Sequence, residues 1–189
     1  MELLSQYMLE ELRKDQEFVL YRGEHRNKPG SRTVLLLVPV FPHPALETVS
    51  KLKREYSLKD ELDSEWAVRP LDLSDHRGQM TLVLEDSGGE PLDRLIPGKI
   101  ETPQFLRLGI GLANALGSLH KKGLIHKDVK PANVLVDSSG RVRLMGFGIA
   151  SRLPRERQAP APPRVYRRNS PLHGARTNRA DESIDRLSK

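Results

Sequence analysis

The segment Leu124–Gly148, LIHKDVKPANVLVDSSGRVRLMGFG, decides the fold. Two short apolar runs, Val134–Val136 and Val142–Leu144, flank Asp137-Ser138-Ser139-Gly140, which is a hairpin-turn signal. Directly before the hairpin stand His126, Lys127 and Asp128, with Lys130 two residues after that aspartate and Asn133 five after it. Upstream, Thr102 reads as a cap with Pro103 at the first helical position. Phe105, Leu108, Leu112, Leu116 and Leu119 recur on one face and predict a long buried helix ending near Gly123.

Toward the N-terminus, Phe18–Tyr21 and Thr33–Val40 read as two strands of a hairpin across a polar, Gly- and Pro-bearing connection. Pro44–Leu62 carries Leu46, Val49, Leu52, Tyr56 and Leu62 close to helical spacing and predicts an amphipathic helix. Trp66–Leu73 and Met80–Glu85 predict two more strands, the second ending in the turn Asp86-Ser87-Gly88-Gly89. Strands first, then a helix and a hairpin, describe an α+β fold with two lobes.

The chain has 189 residues with 37% hydrophobic content, enough for one ordinary core or two small ones. Without cysteine it forms no disulfide, thiolate metal site or cysteine nucleophile. The apolar run Thr33–Val40 is far shorter than the ~20 residues that span a bilayer, and Met1–Leu4 lacks the pattern of a secretory signal. The expectation is a soluble cytoplasmic chain. The net charge of +6 lies wholly in the tail, where Ser151–Lys189 holds ten Lys/Arg and four Asp/Glu. With five prolines and few large apolar side chains, residues 153–189 are expected to be a disordered basic tail.

The pattern His126-Lys127-Asp128, Lys130, Asn133 between a long helix and a hairpin resembles the catalytic loop H-R-D-x-K-x-x-N of the protein kinase superfamily, in its serine/threonine form. The resemblance covers about Leu12 to Arg157 and implies a two-lobe kinase-like fold, with the N-lobe and only the first part of the C-lobe in residues 1–152. It implies that Asp128 accepts the proton of a substrate hydroxyl and that Lys130 offsets charge on the transferring phosphoryl group. Asn133 is implied as a magnesium ligand, and Asn133, Glu55 and Glu85 as residues binding the cofactor, ATP with Mg2+. His126 is expected to hydrogen-bond backbone near the metal-site turn. The stretches EDSGGEPLDRL and GFGIASRLPRERQAP are similar to the kinase-like domain that opens large bacterial proteins continuing into an ATPase and a sensor histidine kinase.

The departures from the kinase pattern fall on phosphate handling. Gly146 stands where the metal-binding aspartate of D-F-G belongs, TVLLLVPV has no lysine where V-A-I-K has one, and Tyr21-Arg22-Gly23-Glu24 keeps one glycine of the G-x-G-x-x-G cover. Glu55 sits where the partner of the missing lysine would lie. Lys127 keeps the charge of the usual arginine without its planar fork, and Lys122 and Lys127 are the candidates to reach phosphate in the lysine's stead. Two functions therefore compete: a serine/threonine kinase of low activity acting on a protein substrate, or a pseudokinase that regulates or binds downstream signalling domains. A basic-tail nucleic-acid binder is the third and weakest reading, because no aromatic-studded basic fold surrounds the tail. Neither specific nucleic-acid binding nor membrane association is expected.

An activation segment ending in A-P-E is absent after Gln158. Permitted codons for Val165–Lys189, read one base later, spell F-I-A-G-T-R-L-Y-M-A-P-E-Q-T-G-R-M-N-R-S-I-D-S-R, which restores it. A frameshift near Pro163 is therefore expected, and the nucleotide sequence decides it.

Overall fold

The structure is a computed structural model, and it describes residues 3–28, 30–76, 79–96 and 100–153. The expectations for a tail over 153–189, including the frameshift, lie outside the described residues from 154 onward.

A single 3-10 turn, Leu3–Gln6, leads into an antiparallel sheet. β1 (Tyr7–Lys14), β2 (Phe18–His25), β3 (Val34–Pro39), β4 (Pro70–His76) and β5 (Gln79–Glu85) form it in the order β1-β2-β3-β5-β4. The expected hairpin is β2 with β3, in a register that sets Leu20 against Leu37 and Phe18 against Pro39. Period-2 alternation on β3 sends Leu35 and Leu37 to one face, with Leu20, Leu52, Leu82 and Leu84, and Leu36 and Val38 to the other, with Val83. α1 (Leu46–Tyr56) covers the first of these faces through Val49 and Leu52.

Three expectations change here. β1 has no counterpart among the expected strands, because as an edge strand it buries only Leu12 and otherwise shows polar or half-exposed side chains. The helix expected over Pro44–Leu62 is α1 alone, starting after Pro44 and closing at Tyr56 into successive turns to Leu62. The strand expected over Trp66–Leu73 starts only at Pro70, since Trp66 and Val68 bond across to Leu144 of the later hairpin.

The second half packs below. β6 (Glu90–Pro91), β8 (Val134–Val136) and β9 (Val142–Leu144) form a small sheet, with β8 and β9 the expected hairpin. The short helix α2 (Leu92–Leu95) follows β6, and β7 (Leu124–Ile125) pairs with β10 (Ser151–Arg152). α3 (Thr102–Lys121) precedes β7. Its cap position is Glu101, not Thr102, and no side chain caps it. Nor is α3 buried along its length. Ala115 and Leu119 enter the lower core with Leu124, Val134, Leu144 and Phe147, whereas Phe105 is 63% exposed. The lower core reaches back along the helix to Leu108 but leaves Phe105 uncovered, which is why the periodic face overstates its burial. No helix among the described residues is long and apolar enough to cross a membrane.

Candidate active site

The loop that resembles the kinase catalytic loop runs from β7 to β8, and a tight turn over Pro131–Asn133 buries Asn133 to 2% exposure. His126 is the loop's inner anchor. Its Nε2 donates to the Met145 carbonyl at 2.9 Å while Nδ1 accepts the Asp128 N–H at 3.2 Å, which together fix one neutral tautomer. Burial lowers its pKa, consistent with that neutral form. Next to it, Lys127 holds φ at 69°, the left-handed region that side chains seldom adopt, and so swings Asp128 toward Asn133. Asp128 Oδ2 accepts Lys130 Nζ at 2.9 Å and Asn133 Nδ2 at 2.8 Å. Partial burial opposes ionisation of Asp128, but these partners outweigh it and hold the carboxyl below its ordinary range. The loop thus brings Asp128, Lys130 and Asn133 together, with Asp128 an ionised acceptor.

Glu55 arrives from α1, fully buried at 2% exposure. Leu37 of β3, 3% exposed, occupies the lysine position of the V-A-I-K strand beside it, so no ammonium answers the carboxylate. Burial pushes Glu55 up to about 7, held back by the backbone amides of Phe147 and Gly146 and by the charge of Arg13. Gly146 N–H donates to its Oε1 at 3.1 Å. Glu85 is elsewhere: its carboxylate accepts the Ser64 hydroxyl and borders a separate hollow with Arg32 and Thr33.

Two cations in the cleft were missed in the sequence. Arg13 of β1 sends Nη1 to the Asn133 Oδ1 at 2.9 Å and to the Ala132 carbonyl at 3.2 Å. Lys51 of α1 pairs with Glu17 at 2.7 Å; Glu17 lies in the turn between β1 and β2, whereas Tyr21–Glu24, expected as the remnant of the glycine-rich cover, lies inside β2. Lys51 carried a signal, since it lies one helical turn before Glu55 and shares its face; Arg13 carried none. Lys122 and Lys127, the expected substitutes for the missing lysine, are exposed, and neither lines this cleft.

The cleft is a cavity of about 260 Å³ lined by Arg13, Leu37, Lys51, Glu55, Asp128 and Asn133 among others. A larger hollow of about 950 Å³ runs along Ser87–Glu90, α3 and the hairpin turn, and none of Asp128, Lys130 and Asn133 borders it. Leu12, Leu20, Leu35, Leu135 and Met145 pack in one cluster at 3% exposure or less, and none lines the cleft. They close the space between the sheet and the hairpin to a flat base.

A magnesium ion does not fit the residues present. The oxygen assigned to it, Asn133 Oδ1, already accepts a guanidinium proton. At Gly146 the backbone has φ 78°, and a Cβ there would stand 2.9 Å from the Asn133 side chain, so the segment has no place for the missing carboxylate. Among the described residues no group of three or more His, Asp or Glu could hold a metal.

Comparison with known proteins agrees with the loop. The protein kinase domain family matches residues 43–186. The chain is 37% identical over 135 residues to the serine/threonine-protein kinase pkn2 of Myxococcus xanthus, covering 69% of this chain and 16% of that protein. It is 30% identical over 134 residues to the serine/threonine-protein kinase PknH of Mycobacterium tuberculosis, covering 70% of this chain and 21% of that protein. It is 33% identical over 109 residues to CBL-interacting protein kinase 21 of Oryza sativa, covering 57% of this chain and 21% of that protein. The chain therefore spans about a fifth or less of these relatives. The family match over most of the chain, with the sheet-rich first lobe and the loop around Asp128, makes it a member of the protein kinase domain family.

Proposed function

We propose that this chain is a pseudokinase: a kinase-fold domain with degraded phosphoryl transfer that regulates or binds signalling domains or protein partners. The observation that carries this reading is the Arg13 guanidinium on Asn133 Oδ1 at 2.9 Å, where a kinase needs a metal ligand. Gly146 in place of a carboxylate and Leu37 in place of a lysine act in the same direction. Phosphoryl transfer depends almost wholly on positioned charge around the phosphates, so losing the metal ligand and the lysine together removes several orders of magnitude of rate. ATP, the cofactor that family membership implies, binds weakly if its base has to displace the Leu35–Leu135–Met145 packing.

A specific observation favours a second reading, a kinase with an atypical but active site. Asp128, Lys130 and Asn133 keep their mutual bonds, and the Asp128 carboxyl stays ionised as a hydroxyl acceptor must. Incubation with radiolabelled ATP and a generic serine/threonine substrate separates the two. The pseudokinase gives no phosphoserine or phosphothreonine. Label that forms and then disappears in Asp128→Asn establishes the active kinase instead.

A further inference from the structure

Among the described residues, Arg13 is the one cation lining the cleft that crosses from the first sheet to the loop around Asn133. Its side chain is 9% exposed, and its Nε is buried without a hydrogen-bond partner. Nη1 is committed to two neutral oxygens, Asn133 Oδ1 and Ala132 O, with Asp15 farther off at 3.9 Å. A buried guanidinium bonded mainly to amide oxygens imitates the way a hard cation is held. The carboxylates that could compete for a metal are engaged: Asp15 by the Glu17 and Phe18 amides, Glu17 by Lys51, Asp128 by Lys130 and Asn133, Glu55 by a backbone amide. Against these four stand Arg13, Lys51 and Lys130, so at most one uncompensated negative charge remains to draw a divalent ion.

We infer that Arg13 is a resident cation at the metal position: it fixes Asn133, and through Asn133 the Asp128 carboxylate, and it keeps the cleft free of divalent metal. The chain of bonds is continuous, since Asn133 takes Arg13 on Oδ1 and gives Nδ2 both to the Asp128 carbonyl and to its carboxylate, each at 2.8 Å. A divalent ion binding Asn133 Oδ1 would sit within a few ångströms of the guanidinium, and repulsion at that distance in a buried site opposes entry. Arg13 is a positioning residue here. The inference rests on reading the cleft as a kinase site, and not on whether phosphate is transferred.

The test uses the full chain and manganese as the probe. Electron paramagnetic resonance of free Mn2+ is expected to be unchanged by the wild-type protein, and its melting temperature is expected to be indifferent to millimolar Mg2+. Arg13→Gln uncovers Asn133 Oδ1, Ala132 O and the neighbouring carboxylates without their cation, and is expected to bind Mn2+ at least about tenfold more tightly than the wild type. Arg13→Lys keeps the charge and stays metal-indifferent; a merely structural role for Arg13 would not separate these variants. Arg13→Met serves as a second neutral variant if Arg13→Gln does not fold, with the same gain expected. Mn2+ bound by the wild type, or no gain in a folded neutral variant, overturns the inference. Metal bound by a wild type that transfers no phosphate sinks this inference and leaves the pseudokinase reading standing. Phosphate transfer by a metal-indifferent wild type does the reverse.

Discussion

The Glu55 carboxylate accepts the Gly146 N–H at 3.1 Å, so a backbone amide occupies the role that a lysine would fill for a kinase glutamate. A dipole compensates a buried charge less well than an ammonium does, and burial raises the Glu55 pKa from 4.5 to about 7. The folded state therefore holds a proton that the unfolded state releases. The stability this contributes is full below pH 4.5 and is lost as pH rises through about 7. Between pH 5 and 8 the wild type should lose roughly 2–3 kcal/mol relative to Glu55→Gln, read from denaturant midpoints at each pH. The lowered pKa of His126 acts in the opposite direction but is common to both proteins and cancels in the difference.

Restoring the missing aspartate should not restore a kinase. In Gly146→Asp a non-glycine backbone must hold φ 78°, and its Cβ meets the Asn133 side chain at 2.9 Å. The left-handed backbone alone costs about 1–2 kcal/mol, and the contact adds to it. We expect a lower melting temperature and no Mg2+-dependent gain in ATP binding by calorimetry; a variant as stable as the wild type would show that the segment rearranges freely.

Asp137 is the hub of the β8–β9 turn. Its Oδ1 accepts the Ser139 hydroxyl and the Ser139 and Arg141 N–H groups, the latter two each at 3.0 Å, and its Oδ2 accepts Arg143 Nη1 at 3.0 Å. Partial burial opposes ionisation, but these donors prevail and lower the pKa to about 2. Its contribution is present above the ordinary pKa of 3.8 and is lost as pH falls through about 2. Asp137→Ala should cost about 2 kcal/mol at neutral pH, measured by chemical denaturation, with the gap to wild type closing in acid.

The first half of α3 presents Phe105, Leu106 and Ile110 at 63%, 54% and 62% exposure. Apolar side chains grouped this way promote self-association. The protein should bind a hydrophobic dye strongly at neutral pH and sediment partly as oligomers, and Phe105→Ser with Ile110→Ser should reduce both. A dye-silent monomer would contradict this.

The hairpin Val134–Leu144 and the catalytic trio were legible because their signals are local: turn residues at fixed offsets and a loop whose spacing carries chemistry. Strands β2, β3 and β5 were legible from apolar runs. β1 was not, because its outer residues Glu10 and Glu11 face solvent at a sheet edge, and only the fold gives Leu12 and Arg13 inward positions. For α3, periodicity marked the apolar face but not which of its residues are covered: Leu119 is buried and Phe105 exposed. Arg13 was invisible in principle: it lies 120 positions from Asn133 along the chain, and no motif spans that separation.

Leu135 and Met145 belong by position to the hairpin and its sequel, yet both are buried in the cluster formed by Leu20, Leu35, Leu52 and Leu84 of the sheet and α1. Hinge opening, the usual motion of a two-lobed enzyme around its ligand, would draw these two side chains out of that cluster at a cost of about 2 kcal/mol each. The Arg13–Asn133 and Arg54–Ala150 bonds would break with them. The lobes are thus welded rather than hinged, and amide protons on β8 should exchange with solvent as slowly as those on β3, through one shared opening event.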